Sequence, residues 1–279
     1  RKVSDESYTG GGVTPGRLAC ARGLHLLHAA NDRTAFDRAC ALLEEAIRAE
    51  PTLEEAYDGL AQAESARGNF AGELDAFTRG LAVDKGFLPH LLGRGYRSGQ
   101  LGVEAMIRGE DPGERFRQAA ADYDRALELS PDLPVTWLCR GTVRLRQGWM
   151  RAVRGEDPRE LYAGAESDFG RAIELTPRSA WARTRRGIAR MDQARCAEER
   201  GEDPLERYAE AMADFAEAQK LDPDALSPWL RHGDVNLFLG MAHRDRGEDP
   251  SPWFDQAERD YDRALALNPG WAEAWMLRG

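Results

Sequence analysis

Four aspartates, Asp122, Asp168, Asp214 and Asp260, recur at intervals of 46 residues. Paired carboxylates can carry acid–base chemistry when their environments push their pKa values apart. Three of these four, however, precede an arginine by three residues: Arg125, Arg171 and Arg263. On a helix that spacing sets acid beside base, so the sequence predicts solvated ion pairs of about 0.2–0.5 kcal/mol each. His25 and His28 share a helical face, but no glutamate or third ligand stands near them in sequence. They read as ordinary helix histidines, and no metal site is assigned. Cys20, Cys40, Cys139 and Cys196 form no CxxC pair or zinc-spaced cluster and read as reduced, mostly buried small apolar residues. Glu-Asp-Pro triplets lack the alternating oxygens and turn glycine of a calcium loop, which leaves helix capping as their reading. Gly10-Gly11-Gly12 lacks the Lys-Ser/Thr of a nucleotide loop, and there is no G-x-S-x-G elbow or HExxH helix. No catalytic residue and no cofactor is nominated. The chain reads as non-enzymatic, although an active site built from scattered residues would leave no such motif.

The elements that would position these groups are repeated. Arg125-Ala-Leu-Glu-Leu-Ser-Pro131 returns as Arg171–Pro177, Glu217–Pro223 and Arg263–Pro269, with the prolines stepping by 46. An independent marker, Arg-Gly-Glu-Asp-Pro, starts at Arg108, Arg154, Arg200 and Arg246 with the same period. Upstream, Glu45–Pro51 and Arg79–Lys85 match the same segment but lie 34 residues apart. Ala-x-x-x-ring-x-x-Ala recurs at Ala119/Tyr123/Ala126, Ala165/Phe169/Ala172, Ala211/Phe215/Ala218 and Ala257/Tyr261/Ala264, which places small residues and a ring on one helical face. One such helix pair cannot bury its apolar face alone, so stacked copies share a core.

The 34-residue unit resembles the tetratricopeptide repeat, and the resemblance runs over about residues 17–279. It is carried by these second-helix signatures and by Trp137…Gly141, Trp229…Gly233, Trp275…Gly279 and Tyr57-x-x-Leu60-Ala61 on first helices. Arg183 stands in the register of Trp137, Trp229 and Trp275, and Trp181 is expected to fill that gap. The resemblance implies an all-α, right-handed α-solenoid of antiparallel helix hairpins, with six repeats at 17–52, 53–86, 87–132, 133–178, 179–224 and 225–270. Residues 1–16 read as a linker and 271–279 as a terminal helix. The twelve residues by which the later repeats exceed the shorter one fall at the hairpin tips. Shared evenly, they lengthen each helix by about six residues, or ~9 Å. Asp-Pro is expected to start each second helix, with proline at the first helical position and Glu114, Glu160 and Glu206 completing capping boxes.

In proteins of this family the first helices line a groove that holds a peptide. Carried over, the groove positions are Leu138, Thr142 and Leu145, then Trp181, Thr184, Ile188 and Met191, then Leu230, Asp234 and Leu237. The strip is either a hydrophobic peptide groove or part of a core displaced by the long hairpins. Arg183, Arg185, Arg186 and Arg190 form a basic cluster, with Arg231 in the same repeat position as Arg185. Groove-facing arginines suit a partner's carboxylate or phosphate, while salt bridges to surface acids are the alternative. Family members that grip a chaperone's C-terminal carboxylate use Lys and Asn on successive first helices. Leu24, His28 and Gly59 stand there in this chain, so that clamp is not expected.

The chain of 279 residues carries a formal charge of −10, which argues against general nucleic-acid or anionic-membrane binding. No apolar run approaches the ~20 residues of a membrane span, and a cytoplasmic location is expected. These observations imply a non-catalytic interaction scaffold with a protein or peptide partner. Two alternatives stay open. One is a regulatory segment of a larger enzyme such as a bacterial signalling kinase, because the chain starts at Arg1 on a linker-like stretch. The other is self-assembly through an unpaired terminal helix carrying Trp275 and Met276.

Overall fold

Residues 13–29, 32–270 and 275 are described by the computed structural model. They form twelve helices and, among the described residues, no strand. The chain divides into two compact units, Arg1–Leu129 and Ser130–Gly279. The first unit holds three antiparallel hairpins: α1 (Pro15–Ala29) with α2 (Arg33–Ala49), α3 (Glu54–Ala66) with α4 (Phe70–Val83), and α5 (Leu88–Ile107) with α6 (Gly113–Leu129). The second holds α7 (Pro134–Val153) with α8 (Arg159–Leu175), α9 (Ala180–Glu199) with α10 (Leu205–Leu221), and α11 (Leu226–Asp245) with α12 (Ser251–Leu267). Within the second unit each hairpin packs on the next, and α9 also touches α7 and α11 directly. The all-α hairpin solenoid read from the repeats is present in both units. Helix α1 begins at Pro15, inside the segment read as linker, where the Thr14 hydroxyl accepts the Arg17 N–H at 3.2 Å. Residues 1–12 lie outside the described residues, as does the terminal helix except Trp275.

The added residues are shared unequally. First helices lengthen from 13 residues in α3 to 20 in α5, α7, α9 and α11, whereas second helices grow from 14 in α4 to 17. The remainder enlarges the turn, and Arg-Gly-Glu-Asp-Pro is the grammar of that turn. Gly109, Gly155, Gly201 and Gly247 take φ of +71 to +76°, a left-handed conformation that glycine alone adopts without strain. The next residue's N–H then closes on the carbonyl five positions back, as in Glu110 to Ala105 and Glu202 to Ala197 (2.8 and 2.9 Å). Asp157, Asp203 and Asp249 accept the N–H two residues on, at 3.0–3.1 Å. The proline sits one position earlier than expected: Pro158, Pro204 and Pro250 precede the first helical residue. Capping boxes are not what the glutamates serve; Glu114 accepts from the Arg117 guanidinium at 2.6 Å.

Inside each hairpin a glycine of the first helix receives a ring of the second. A Cβ built on Gly141, Gly187 or Gly233 would lie 2.8, 2.6 or 2.6 Å from the ring of Phe169, Phe215 or Tyr261. A second layer sets Gly102 and Gly148 against Phe116 and Tyr162 in the same way. Flanking alanines such as Ala165, Ala172, Ala211 and Ala218 are fully buried, so the backbones approach closely. Each buried ring contributes about 1.5–3 kcal/mol of apolar burial.

The aspartates depart from the sequence expectation. Asp122, Asp168, Asp214 and Asp260 are 1–3% exposed and do not pair with Arg125, Arg171 or Arg263. Arg125 and Arg171 reach Glu128 and Glu174 instead, and Arg263 lies at 3.5 Å from Asp224. Three of them each accept two bonds from a first-helix arginine 28 residues upstream: Arg94 to Asp122 (3.0 and 2.6 Å), Arg140 to Asp168 (3.1 and 2.6 Å) and Arg186 to Asp214 (2.9 and 2.6 Å). In the last hairpin His232 Nδ1 (2.6 Å) and Asn236 Nδ2 (3.1 Å) meet Asp260. The i,i+3 reading failed because the acid's side of the helix faces its partner helix and not solvent. A carboxylate buried there must be met by strong hydrogen-bond donors, which a bidentate guanidinium supplies in three of the four hairpins.

The tryptophan position is also filled differently. Trp137, Trp229 and Trp275 donate Nε1–H to the carbonyls of Pro131, Pro223 and Pro269 at 2.7–3.0 Å. Arg183 donates Nη2–H to Pro177 at 3.1 Å, making the same closure with a guanidinium. Trp181 does not fill the gap; it is 46% exposed.

Packing at the glycines generates a paired prediction. Gly187→Val should lower unfolding free energy by about 2–3 kcal/mol in urea titration, because the Phe215 ring cannot retreat. Gly170→Ala in α8, whose Cβ would meet nothing within 4 Å, should raise it by about 0.5–1 kcal/mol. Equal effects would contradict the nesting. A pH prediction comes from His90, fully buried among Tyr57, Phe77 and Phe87, with neither ring nitrogen hydrogen-bonded. Burial lowers its pKa, against weaker pulls upward from Asp58 and Asp84. The unfolded chain therefore takes up a proton near pH 6.5 that the folded imidazole refuses. Its contribution to stability is complete above about pH 6.5 and is lost as pH falls toward the folded pKa. Measured from pH 7.5 to 4.5, wild type should lose stability relative to His90→Leu as the pH falls; parallel pH curves for the two proteins would refute this.

Candidate functional site

The second unit presents one first-helix stripe that is not buried by its neighbours. On α7, Val135, Cys139, Thr142, Arg146, Trp149 and Val153 follow one another at alternating steps of three and four, one face of a helix. On α9 the same register holds Trp181, Arg185, Ile188, Asp192, Arg195 and Glu199. Large apolar groups are exposed along it: Val135 by 52%, Trp149 by 48% and Val153 by 67%, beside Trp181.

The sequence-predicted groove residues divide across this surface. Leu145, Thr184, Met191, Leu230 and Asp234 are buried. Leu138, Thr142, Arg185, Ile188, Arg231 and Leu237 are half-buried, and Trp181 is exposed. Leu145, with Leu138 and Ile188 against it, belongs to the core around Tyr162 and Phe169, and Leu230 with Leu237 to the core around Tyr261. Asp234 is occupied by Arg231 at 2.7 Å and by the Tyr261 hydroxyl at 3.1 Å. Thr142 and Thr184 turn their hydroxyls to the carbonyls of Leu138 and Ala180, both at 2.8 Å. A 20-residue first helix leaning on the next first helix covers positions that the 34-residue pattern would leave open. The strip is thus partly core and partly surface.

The basic cluster is likewise mostly spent. Arg186 and Arg190 both reach Asp214, and Arg190 also reaches Glu166 at 2.8 Å. Arg183 closes the turn described above. Arg185 differs from these three. Its guanidinium lies over the Trp181 ring, 5.2 Å from the centroid, and no carboxylate among the described residues pairs with it. The charges it feels come from Arg146 on α7 and Arg231 on α11, and burial first, then these like charges, lowers its pKa. Arg146 also has no ion pair among the described residues. A half-buried guanidinium crowded by two others, in a chain of net charge −10, is an unmet demand for an anion.

Arg146 and Asp192 were missed by residue-by-residue carry-over of the family's groove. The signal that finds them is the stripe itself, since each lies seven residues beyond Cys139 or Arg185 on the same helical face. The charge crowding yields a prediction. Raising salt from about 0.05 to 0.5 M screens the arginine repulsion, so it should stabilise wild type more than Arg185→Met in thermal unfolding. Parallel salt curves would show that Arg185 is not under repulsion.

No family model matches this chain, and no curated protein matches it. Solved structures do. PilF of Pseudomonas aeruginosa superposes with TM-score 0.60 at 14% identity, over 95% of this chain and 99% of that one. A tetratricopeptide repeat protein from Parabacteroides merdae gives 0.58 at 17% identity, over 94% and 98%. YrrB, described as a tetratricopeptide protein with an unusual peptide-binding site, gives 0.55 at 17% identity, over 84% and 96%. With identities this low the likeness is one of fold, and the fold of this chain is that of the tetratricopeptide-repeat proteins.

Proposed function

We propose that this chain is a non-catalytic scaffold that binds a peptide or protein across the first-helix stripe of α7, α9 and α11. The partner's carboxylate or phosphate is received between Arg146, Arg185 and Arg231, and its apolar side chains rest on Val135, Leu138, Trp181 and Ile188. The buried members of the predicted set, Leu145, Thr184, Met191, Leu230 and Asp234, hold the stripe from beneath. The observation that carries this reading is Arg185: desolvated, stacked on an exposed indole and crowded by like charge without a carboxylate of its own. An arriving anion relieves that repulsion and forms charge-assisted, bidentate bonds in a partly dry setting. YrrB, similar to this chain in fold, has a peptide-binding site, which supports the same class of ligand here.

Fluorescence anisotropy with short peptides that alternate acidic and apolar residues, against their charge-reversed counterparts, tests this. Acidic members should bind, and Arg185→Glu should weaken them at least about tenfold, ~1.4 kcal/mol. Arg171→Glu, on α8 away from the stripe and already paired with Glu174, should leave binding unchanged. No preference for acidic peptides, or equal losses in the two variants, would overturn the reading.

A further inference from the structure

The same stripe ends in a recess between the distal parts of α7, α8 and α9. Trp149 and Val153 of α7 and Tyr162 of α8 supply apolar walls, with Asp192 on the α9 side and Glu199 and Arg195 at the rim. The Asp192 side chain is 17% exposed, and no donor among the described residues hydrogen-bonds it. Its nearest cation, Arg195 Nη1, is 3.8 Å away on the same helix and is itself half exposed. The ionisable groups around it are Arg195, Cys196 and Glu199 on α9, Tyr162 on α8, Tyr208 on α10 and Arg231 on α11. Burial outweighs both arginines and pushes the Asp192 carboxyl up to about 6. Two guanidiniums in the neighbourhood thus leave this carboxylate under-compensated.

The pairing of walls and acid belongs to this one hairpin junction. In the 46-residue register, Trp149 is matched by Val103, Arg195 and Met241, and Asp192 by Arg146 and Phe238. We propose that this recess is a second subsite, which receives one lysine or arginine side chain of the bound partner. Its aliphatic stem would lie along Trp149 and Val153, and its cationic head would meet Asp192, with Glu199 adding charge at the mouth. A hydroxyl-bearing or purely apolar side chain would fill the walls but leave the carboxylate unanswered, and an anionic one would be repelled by it. The occupant's identity as a partner side chain rests on the scaffold reading above; the preference for a cation rests on the recess alone. Together with the arginine trio, the subsite would select a partner carrying an acid and a base at a set separation, and so fix its direction along the stripe.

The test uses the full chain and small probes, so it does not depend on finding the partner. Two-dimensional nitrogen–proton NMR follows the Trp149 indole N–H, assigned by its disappearance in Trp149→Phe, during titration with n-butylammonium or n-butanol. The expected result is a saturable shift with n-butylammonium only. The affinity should fall about tenfold from pH 7 to pH 5, because protonating a carboxyl of pKa about 6 removes the ligand's counter-charge. Asp192→Asn should weaken the probe at least tenfold while melting no earlier than wild type, since it removes a desolvated charge. The pH arm needs no variant and stands if Asp192→Asn proves hard to prepare. Equal shifts with n-butanol, a pH-independent affinity, or no saturation would each overturn the subsite. Arg185→Glu should retain n-butylammonium binding, so loss of acidic-peptide binding with a working recess would indict the arginine face alone, and the reverse pattern the recess alone.

Discussion

The structure depends on how closely a first helix can lie against its second. That distance is set by a ring pressed into a glycine, with alanines on either side. Where Phe169, Phe215 and Tyr261 sit on Gly141, Gly187 and Gly233, the two backbones come near enough that the aspartate one position before the ring loses contact with water. A carboxylate placed there is tolerated only with a strong partner: at Asp168 and Asp214 the arginine 28 residues upstream meets it with both nitrogens, and at Asp260 His232 and Asn236 do so. Close approach thus creates the burial, and the burial makes a partner for the carboxylate compulsory. Removing one partner of such a pair leaves an uncompensated charge, at a cost of about 3–5 kcal/mol.

Most of the architecture was legible because repetition averages out local ambiguity. One occurrence of Ala-x-x-x-Phe-x-x-Ala is compatible with many helices, whereas four at a single spacing specify hairpins that stack. Arg-Gly-Glu-Asp-Pro was equally readable as a boundary, since a positive-φ glycine, an acidic cap and a proline each mark one. The details that escaped required knowledge of which face turns inward. Asp168 precedes Arg171 by three residues, and nothing local tells whether that pair points to water or to α7. The division of the added residues was beyond sequence reasoning for a similar reason. Both helices contain good helix formers, and the position of Gly155, not propensity, decides where the first one stops.

The candidate site was half legible. Arg185 and Arg231 emerged from the repeat register, and Trp181 from its type. Leu145, Met191 and Leu230 were open to two readings, groove or displaced core, and all three are buried, because the face they occupy depends on how the longer first helices lean on one another. Arg146 and Asp192 went unnoticed because their meaning comes from other helices. An arginine matters here because two more face it across helix boundaries, and an aspartate because apolar walls surround it.

The substitution at Arg183 has an effect beyond its own turn. A guanidinium that reaches the Pro177 carbonyl does the work an indole does in neighbouring repeats. The indole two residues earlier is thereby excused from holding the backbone and stands open to solvent beneath Arg185. Within less than a turn of helix, the structural duty has passed to a guanidinium and an indole has been released to the surface. A repeat protein can in this way acquire a distinctive surface at one hairpin while every hairpin keeps the same skeleton.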